Sequence, residues 1–416
     1  MTRSSRRASD PAIDSNRAVE SGRALGSDRA VGSGRAVGSG RAVGSGRAVG
    51  SGRALGSGPA VGPAKTAAPA RLRARWLAAG VAAVVIAVIA GLALGPVGLN
   101  PGGVFIELLD LLPGVHLHSG LSASEQAIVT QLRLPRVCLG LLVGATLAVA
   151  GGTYQGVFRN PLADPYLLGI AAGAGLGATF AIVGGHAFAQ LPGAGGNGTP
   201  IYVPFVAFVG ALVAVTMTYA LGAAGGTART PAVLLLAGVA VTAFLTAGQT
   251  YLQQRYVETI REVYSWIMGR LTTAGWHDVL LLLPFAVTTI AVMIGYRRQL
   301  DVMSVGDAEA ESLGAHPRRT RLVLVIVASL GTAAAVSVSG LIGFVGIIVP
   351  HTVRLMAGTS YRVILPLSAL FGGAFLALAD LGARTLTAPD EIPIGVVTAF
   401  FGAPFFIVIL RTSRRL

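Results

Sequence analysis

Lysine is the first residue type to ask about, because nucleotide-hydrolysing loops depend on one. A Gly-x-x-x-x-Gly-Lys-[Ser/Thr] loop sets its lysine ammonium against the terminal phosphates. The 416-residue sequence has one lysine, Lys65, and it follows Ala64. ATP chemistry coupled to this chain must therefore sit on another subunit. His116 and His118 stand two apart in an inter-helical loop, a spacing that argues only weakly for metal. The one cysteine, Cys138, lies in an apolar run and can form neither an intrachain disulfide nor a thiolate cluster. No Ser-His-Asp or Cys-His set can be placed, so neither covalent catalysis nor a resident cofactor is expected. A membrane-embedded enzyme would lack a nucleophile.

Arginines, acids and helix breakers offer more. Arg133 and Arg136 bracket a Leu-Pro pair, and Arg384 follows Asp380 by four, a spacing that pairs opposite charges along one helix face. Gln155, Gln249 and Asp380 are polar residues inside apolar runs. An ionisable group at membrane depth is a functional candidate by default. Pairing of Asp380 with Arg384 is the preferred reading. A proton-coupled secondary transporter would instead need such an acid in its pathway. Pro161 and Pro165 interrupt helix, and Asn160 can turn the chain between two apolar runs. Between Arg297 and Arg321, Ser304 and Asp307 form a Ser-x-x-acid capping pattern. It predicts a short helix near 307–313, stopped by Gly314 with Pro317 beyond. Asp307, Glu309 and Glu311 would be exposed on that helix, with Leu313 at its end.

The elements that must position these residues are long and apolar. The sequence is 53% apolar and only 12% charged, with 57 glycines, whereas soluble domains carry roughly 25% charge. So few charges cannot cover a water-facing surface of this size, and the chain reads as an all-α polytopic membrane protein. Ten spans are expected, near 76–98, 135–157, 166–184, 203–223, 231–253, 277–296, 320–339, 341–356, 363–383 and 393–411. The first uncharged run, 76–95, can cross a roughly 30 Å hydrocarbon core at about 1.5 Å per residue. It is too long and too far from residue 1 for a cleaved signal peptide. Arg71, Arg73 and Arg75 precede it, and Arg159, Arg229, the 297–321 arginines, Arg354, Arg362 and Arg411 fall on the same side. The positive-inside rule then puts both termini in the cytoplasm of an inner-membrane protein. Gly140 and Gly144, Gly152 and Gly156, and Gly169, Gly173 and Gly177 recur at intervals of four, which lets helix backbones approach closely.

The net charge of +14 is concentrated at one end. Residues 1–75 hold 14 Lys/Arg against 4 Asp/Glu, the remainder 18 against 14. Arginine recurs every six residues from Arg17 to Arg53, mostly as Gly-Ser-Gly-Arg-Ala-Val. Such a segment has little to bury and is expected to be a disordered basic cytoplasmic tail, able to meet anionic lipid. Residues 76–416 would then be the membrane domain. Basic stripes interleaved with aromatics are missing, which argues against a nucleic-acid partner.

Four segments share one resemblance. They are RLPR at 133–136, RNPLADPYLLG at 159–169, GLIGFVGIIVPHTVR at 340–354, and DLGAR at 380–384 followed by EIPIGVVTAFFGAPFFIVIL at 391–410. In this order they resemble the FecCD-type permease family of type II ABC importers, over roughly 76–415; the repetitive tail is longer than that signature requires. The resemblance implies ten helices in two inverted half-repeats and a homodimer of two permease copies. It also implies two ABC ATPase subunits and an extracytoplasmic binding protein. The implied cargo is a ferric siderophore or related iron chelate, with cobalamin or haem as alternatives. Arg133, Arg136 and Arg384 match the arginines that face outward and meet acids of the binding protein. Asn160 and Leu162 match the cytoplasmic gate. The segment carrying Ser304, Asp307, Glu309, Glu311, Leu313 and Gly314 matches the helix seated in the ATPase.

Overall fold

Apolar runs of 20 or more residues leave a chain in lipid no alternative to helix, because each backbone N–H and C=O must be paired internally. A computed structural model describes residues 72–110, 114, 116–185, 202–224 and 231–413. No strand occurs among them. The repeat tail and most of the predicted outer segment 185–202 lie outside the described residues. Every element below belongs to one unit, Thr66–Leu416.

In chain order the helices are α1 (Ala74–Ala93), α2 (Pro101–Asp110), α3 (Ala123–Ala127) and, through a π-helical turn at Ile128–Arg133, α4 (Leu134–Phe158). A 3-10 turn, Pro165–Leu168, leads into α5 (Ile170–Val183). Then come α6 (Tyr202–Ala224), α7 (Pro231–Arg255), α8 (Ile260–Ile267), α9 (Trp276–Gly295), α10 (Arg297–Met303) and α11 (Asp307–Ser312). The series ends with α12 (Pro317–Ser339), α13 (Val345–Ala357), α14 (Tyr361–Thr385) and α15 (Ile394–Ser413). Each of the ten predicted spans coincides with one of these helices. Seven are long and apolar enough to cross a membrane among the described residues; α5, α13 and the apolar part of α15 are shorter.

The third and eighth spans are shorter than expected because each opens on non-helical backbone. Before α5 the chain runs through the 3-10 turn, and Gly169 enters α5 with φ 81°. Between α12 and α13, residues 340–344 leave helical geometry at Gly340 (φ 71°) and Phe344 (φ 68°). Broken backbone of this kind survives in a membrane protein only where its polar groups find partners. Tyr166 supplies them: its hydroxyl donates to Ile342 O at 2.9 Å and accepts from Ile342 N at 3.2 Å. The Arg270 N–H donates to Ser339 O at 2.7 Å.

Helix α4 is the centre of the bundle, packed by α9, α12, α13 and α14. Its apolar window is 78% buried within the chain, against 22% for α7, so α7 presents most of its surface outward. Small residues permit the close packing of α4. A β-carbon at Gly144 would collide with Gly372 O on α14, and one at Gly151 with Gly346 O on α13. The four-residue glycine spacing thus marks backbone-to-backbone contact.

Candidate functional site

The motif residues gather at the two ends of α4. At its N-terminal end lie the three arginines expected to face outward. Instead they are buried, with Arg133 5%, Arg136 9% and Arg384 3% exposed. The physical reason is that partners for them already exist within the chain. Helix α1 ends with carbonyls that have no helical N–H to accept from and has no basic residue in its last turn. Arg133 Nη1 donates to Leu92 O (2.7 Å) and Ala93 O (3.1 Å), and its Nη2 donates to Val97 O. Arg384 Nη2 donates to Gly91 O. Two guanidiniums therefore close the C-terminus of α1, where the helix dipole also favours cations.

Arg136 takes the acids. Its Nε donates to both Asp380 oxygens (2.9 and 3.1 Å) and its Nη2 to Asp380 Oδ1 (2.9 Å). On the other edge, Nη1 and Nη2 each donate to one oxygen of Glu391 at 3.0 Å. The expected Asp380–Arg384 ion pair is present, with Arg384 Nε 3.9 Å from Asp380 Oδ2, but the hydrogen bonds to Asp380 come from Arg136. A guanidinium fork facing a carboxylate directly outcompetes a neighbour one helical turn away. Glu391 escaped the sequence reading because it precedes α15 and lies 255 residues from Arg136. A cleft of about 130 Å³ adjoins the cluster, lined by Arg136, Asp380, Glu391, Arg270, Ser265 and Thr272. Burial draws the Arg270 guanidinium below its ordinary pKa, against the opposing charges of Asp278 and Glu262.

At the other end, α4 stops at Arg159, which adopts a left-handed conformation (φ 49°, ψ 36°). Asn160 N donates back to Gln155 O at 3.1 Å, and Asn160 Oδ1 accepts from Leu162 N at 2.9 Å. Asn160 and Leu162 are thus joined by an Asx turn, with both side chains half-buried. Gln155 bridges neighbours, its Nε2 donating to Gly346 O at 3.2 Å. Gln249 is half-buried on α7, facing Gly175 of α5.

The helix expected near 307–313 is α11, and it ends as predicted. Gly314 is left-handed (φ 79°), and Ala315 N reaches Ala310 O at 3.0 Å. Its cap is corrected. Asp307 is the first helical residue, preceded by Gly306 (φ 142°) with no side-chain cap. Ser304 sits two positions too early to cap it and ends α10 instead, its Oγ donating to Asp301 O at 2.6 Å. Glu309 and Glu311 are exposed, Leu313 is 70% exposed, and Ala310 is buried beneath them. Asp307 is half-buried and held from two sides: Arg159 Nη2 donates to its Oδ1, and Arg321 Nη2 to Oδ1 and Oδ2 at 3.1 and 3.0 Å. Arg159 Nε also donates to Met303 O at 3.0 Å. The roles of Arg159 and Arg321 left no signal in local spacing. His116 and His118 are both exposed, and among the described residues no three His, Cys, Asp or Glu are grouped to hold a metal.

The sequence and the fold are similar to those of known proteins. The chain is 44% identical over 310 residues to the cobalamin import system permease protein BtuC of Halobacterium salinarum, covering 74% of this chain and 80% of that one. It is 36% identical over 321 residues to the Fe(3+)-citrate import system permease protein YfmD of Bacillus subtilis, covering 76% and 91%. A solved structure described as an inward-facing conformation of a metal-chelate type ABC transporter superposes with a TM-score of 0.69 at 26% identity, covering 82% of this chain and all of that one. Residues 83–412 match the model of the FecCD transport family. This multi-pass, all-helical chain belongs to the FecCD transport family of ABC transporter permeases.

Proposed function

We propose that this chain is the membrane-spanning subunit of an ATP-driven importer of a bulky metal chelate, with both termini cytoplasmic in the inner membrane. Two copies would enclose the path, two ATPase subunits would seat α11 of each copy, and an extracytoplasmic binding protein would dock above. The observation that carries this reading is the span of one buried helix. At 25 residues, α4 is about 37 Å long. It joins the arginine–acid cluster at Arg136 to the Arg159–Asp307 junction beside α11. Exposed Leu313, Glu309 and Glu311 suit α11 to a groove on a partner. The arginines would mark the docking face from beneath, their field attracting an acidic partner over a distance. Asn160 and Leu162 would form the cytoplasmic gate. A proton-coupled alternative loses support because Asp380 is engaged by Arg136.

The proposed cargo is an iron chelate, imported chemically unchanged. A corrinoid is the second reading, favoured by the 44% identity to a cobalamin permease. Whole-cell uptake of labelled ferric citrate, a ferric hydroxamate, haemin and cyanocobalamin, with and without this chain, separates them. Loss of an iron chelate alone supports the first reading and loss of cyanocobalamin alone the second. Unchanged uptake of all four sinks the cargo class. Removing 304–314 should leave binding-protein docking intact and abolish stimulation of the ATPase by the loaded binding protein.

A further inference from the structure

Arg159 occupies a position that backbone sterics would give to glycine. A helix ending on a left-handed residue places Gly there, or sometimes Asn, because a β-carbon in that conformation costs roughly 1–2 kcal/mol. The chain instead keeps its longest cation at φ 49°, one residue before the Asn160–Leu162 turn. The left-handed turn carries the side chain off the end of α4. Its guanidinium then bridges the end of α10, at Met303 O, and the first residue of α11, at Asp307. Arg321 of α12, itself buried, holds the same carboxylate from the other side. Among the described elements α11 packs on α10 and α12. The arginine at the end of α4 thus ties a short, largely exposed helix to the turn that follows α4.

We propose that Arg159 is the positioning residue that passes movement of α11 to the Asn160–Leu162 turn, with Asp307 as its anchor and Arg321 holding that anchor in place. The proposal rests on the importer reading for what moves α11, but the tie itself is a property of this chain. Displacing α11 pulls on Asp307, and through a two-point guanidinium grip the pull reaches the residue covalently joined to Asn160. A single-point contact would let Asp307 swing without moving the turn.

The test uses the full chain in lipid nanodiscs, with and without the ATPase that co-purifies with it, and reads amide hydrogen exchange by mass spectrometry. Two segments are followed, 306–315 on α11 and 160–168 on the turn. In the chain alone, Arg159→Ala should speed exchange at 306–315 by about two- to fivefold, as expected for losing a half-exposed charge pair. In the complex, ATP should change exchange in both segments of the wild type. In Arg159→Ala it should change 306–315 only. Arg159→Lys keeps the cation but cannot grip Met303 O and Asp307 together, and should leave 160–168 as unresponsive to ATP as Arg159→Ala does. Asp307→Asn, on an exposed helix, should reproduce the alanine result if Arg159→Ala folds poorly. An unaltered ATP response at 160–168 in both Arg159→Ala and Asp307→Asn overturns the proposal. If no ATPase co-purifies with the wild type, the importer reading fails. The chain-alone comparison then still decides the tie: faster exchange at 306–315 supports it and unchanged exchange overturns it.

Discussion

Arg136 and Asp380 form a buried ion pair across 244 residues of sequence, with Nε 2.9 Å from Oδ2 and Nη2 2.9 Å from Oδ1. It fastens the start of α4 to α14. Replacing Asp380 leaves Arg136 with Glu391 alone, so the cost should stay below the about 3–5 kcal/mol typical of a buried charge left wholly unpaired. Asp380→Asn should therefore lower the thermal midpoint of the purified protein by several degrees. Asp380→Asn combined with Arg136→Met should cost less than Asp380→Asn alone. If the double variant costs as much as the two singles summed, the pair is not coupled. The same Asp380→Asn variant, assayed for uptake under an imposed proton gradient, should show no specific loss of gradient response.

Glu391 is the more accessible acid on Arg136, with its side chain 29% exposed. A pair open to solvent on one side contributes about 0–1 kcal/mol, so Glu391→Gln should change stability little. It frees one edge of the Arg136 guanidinium towards the cleft. If an acidic binding protein docks here, its association rate should rise in Glu391→Gln and fall in Arg136→Met, with the difference shrinking at high salt. Stopped-flow binding at two ionic strengths measures this; identical rates in all variants would remove Arg136 from the docking face.

Tyr166 satisfies both backbone groups of Ile342 with one hydroxyl. Tyr166→Phe preserves the ring and leaves a donor and an acceptor without that partner, at a cost of about 1–3 kcal/mol. Amide exchange at 340–344 should accelerate while α4 and α14 keep their protection. Uniform acceleration across the bundle would instead point to global destabilisation.

Gly151 and Gly98 offer a matched contrast. A β-carbon at Gly151 runs into Gly346 O, whereas one at Gly98 meets nothing within 4 Å. Gly151→Ala should force α4 and α13 apart and destabilise by about 1–3 kcal/mol, while Gly98→Ala should be neutral. Thermal unfolding of the two variants side by side checks the packing directly.

Much of this protein is determined by sequence alone, because the bilayer is so restrictive a solvent. Runs of some 20 apolar residues must be helices, which is why all ten expected spans appear as helices. Local rules also sufficed for the Asx turn at Asn160 and the glycine stop at Gly314, since the groups involved lie within five residues of each other. The Ser304 cap failed by two positions, because Gly306 can enter a helix at a φ closed to Ser and no local rule says where α11 begins. What only the tertiary structure decided is which charges meet. Asp380 pairs with Arg384 one turn away on its own helix, yet its hydrogen bonds come from Arg136. Arg159 had no partner in view, yet it holds Asp307 from 148 residues away. In a low-dielectric interior a guanidinium settles where the most acceptors are already oriented for it. Those acceptors are the carbonyls ending α1 and the carboxylates of distant segments, and only helix packing brings them together.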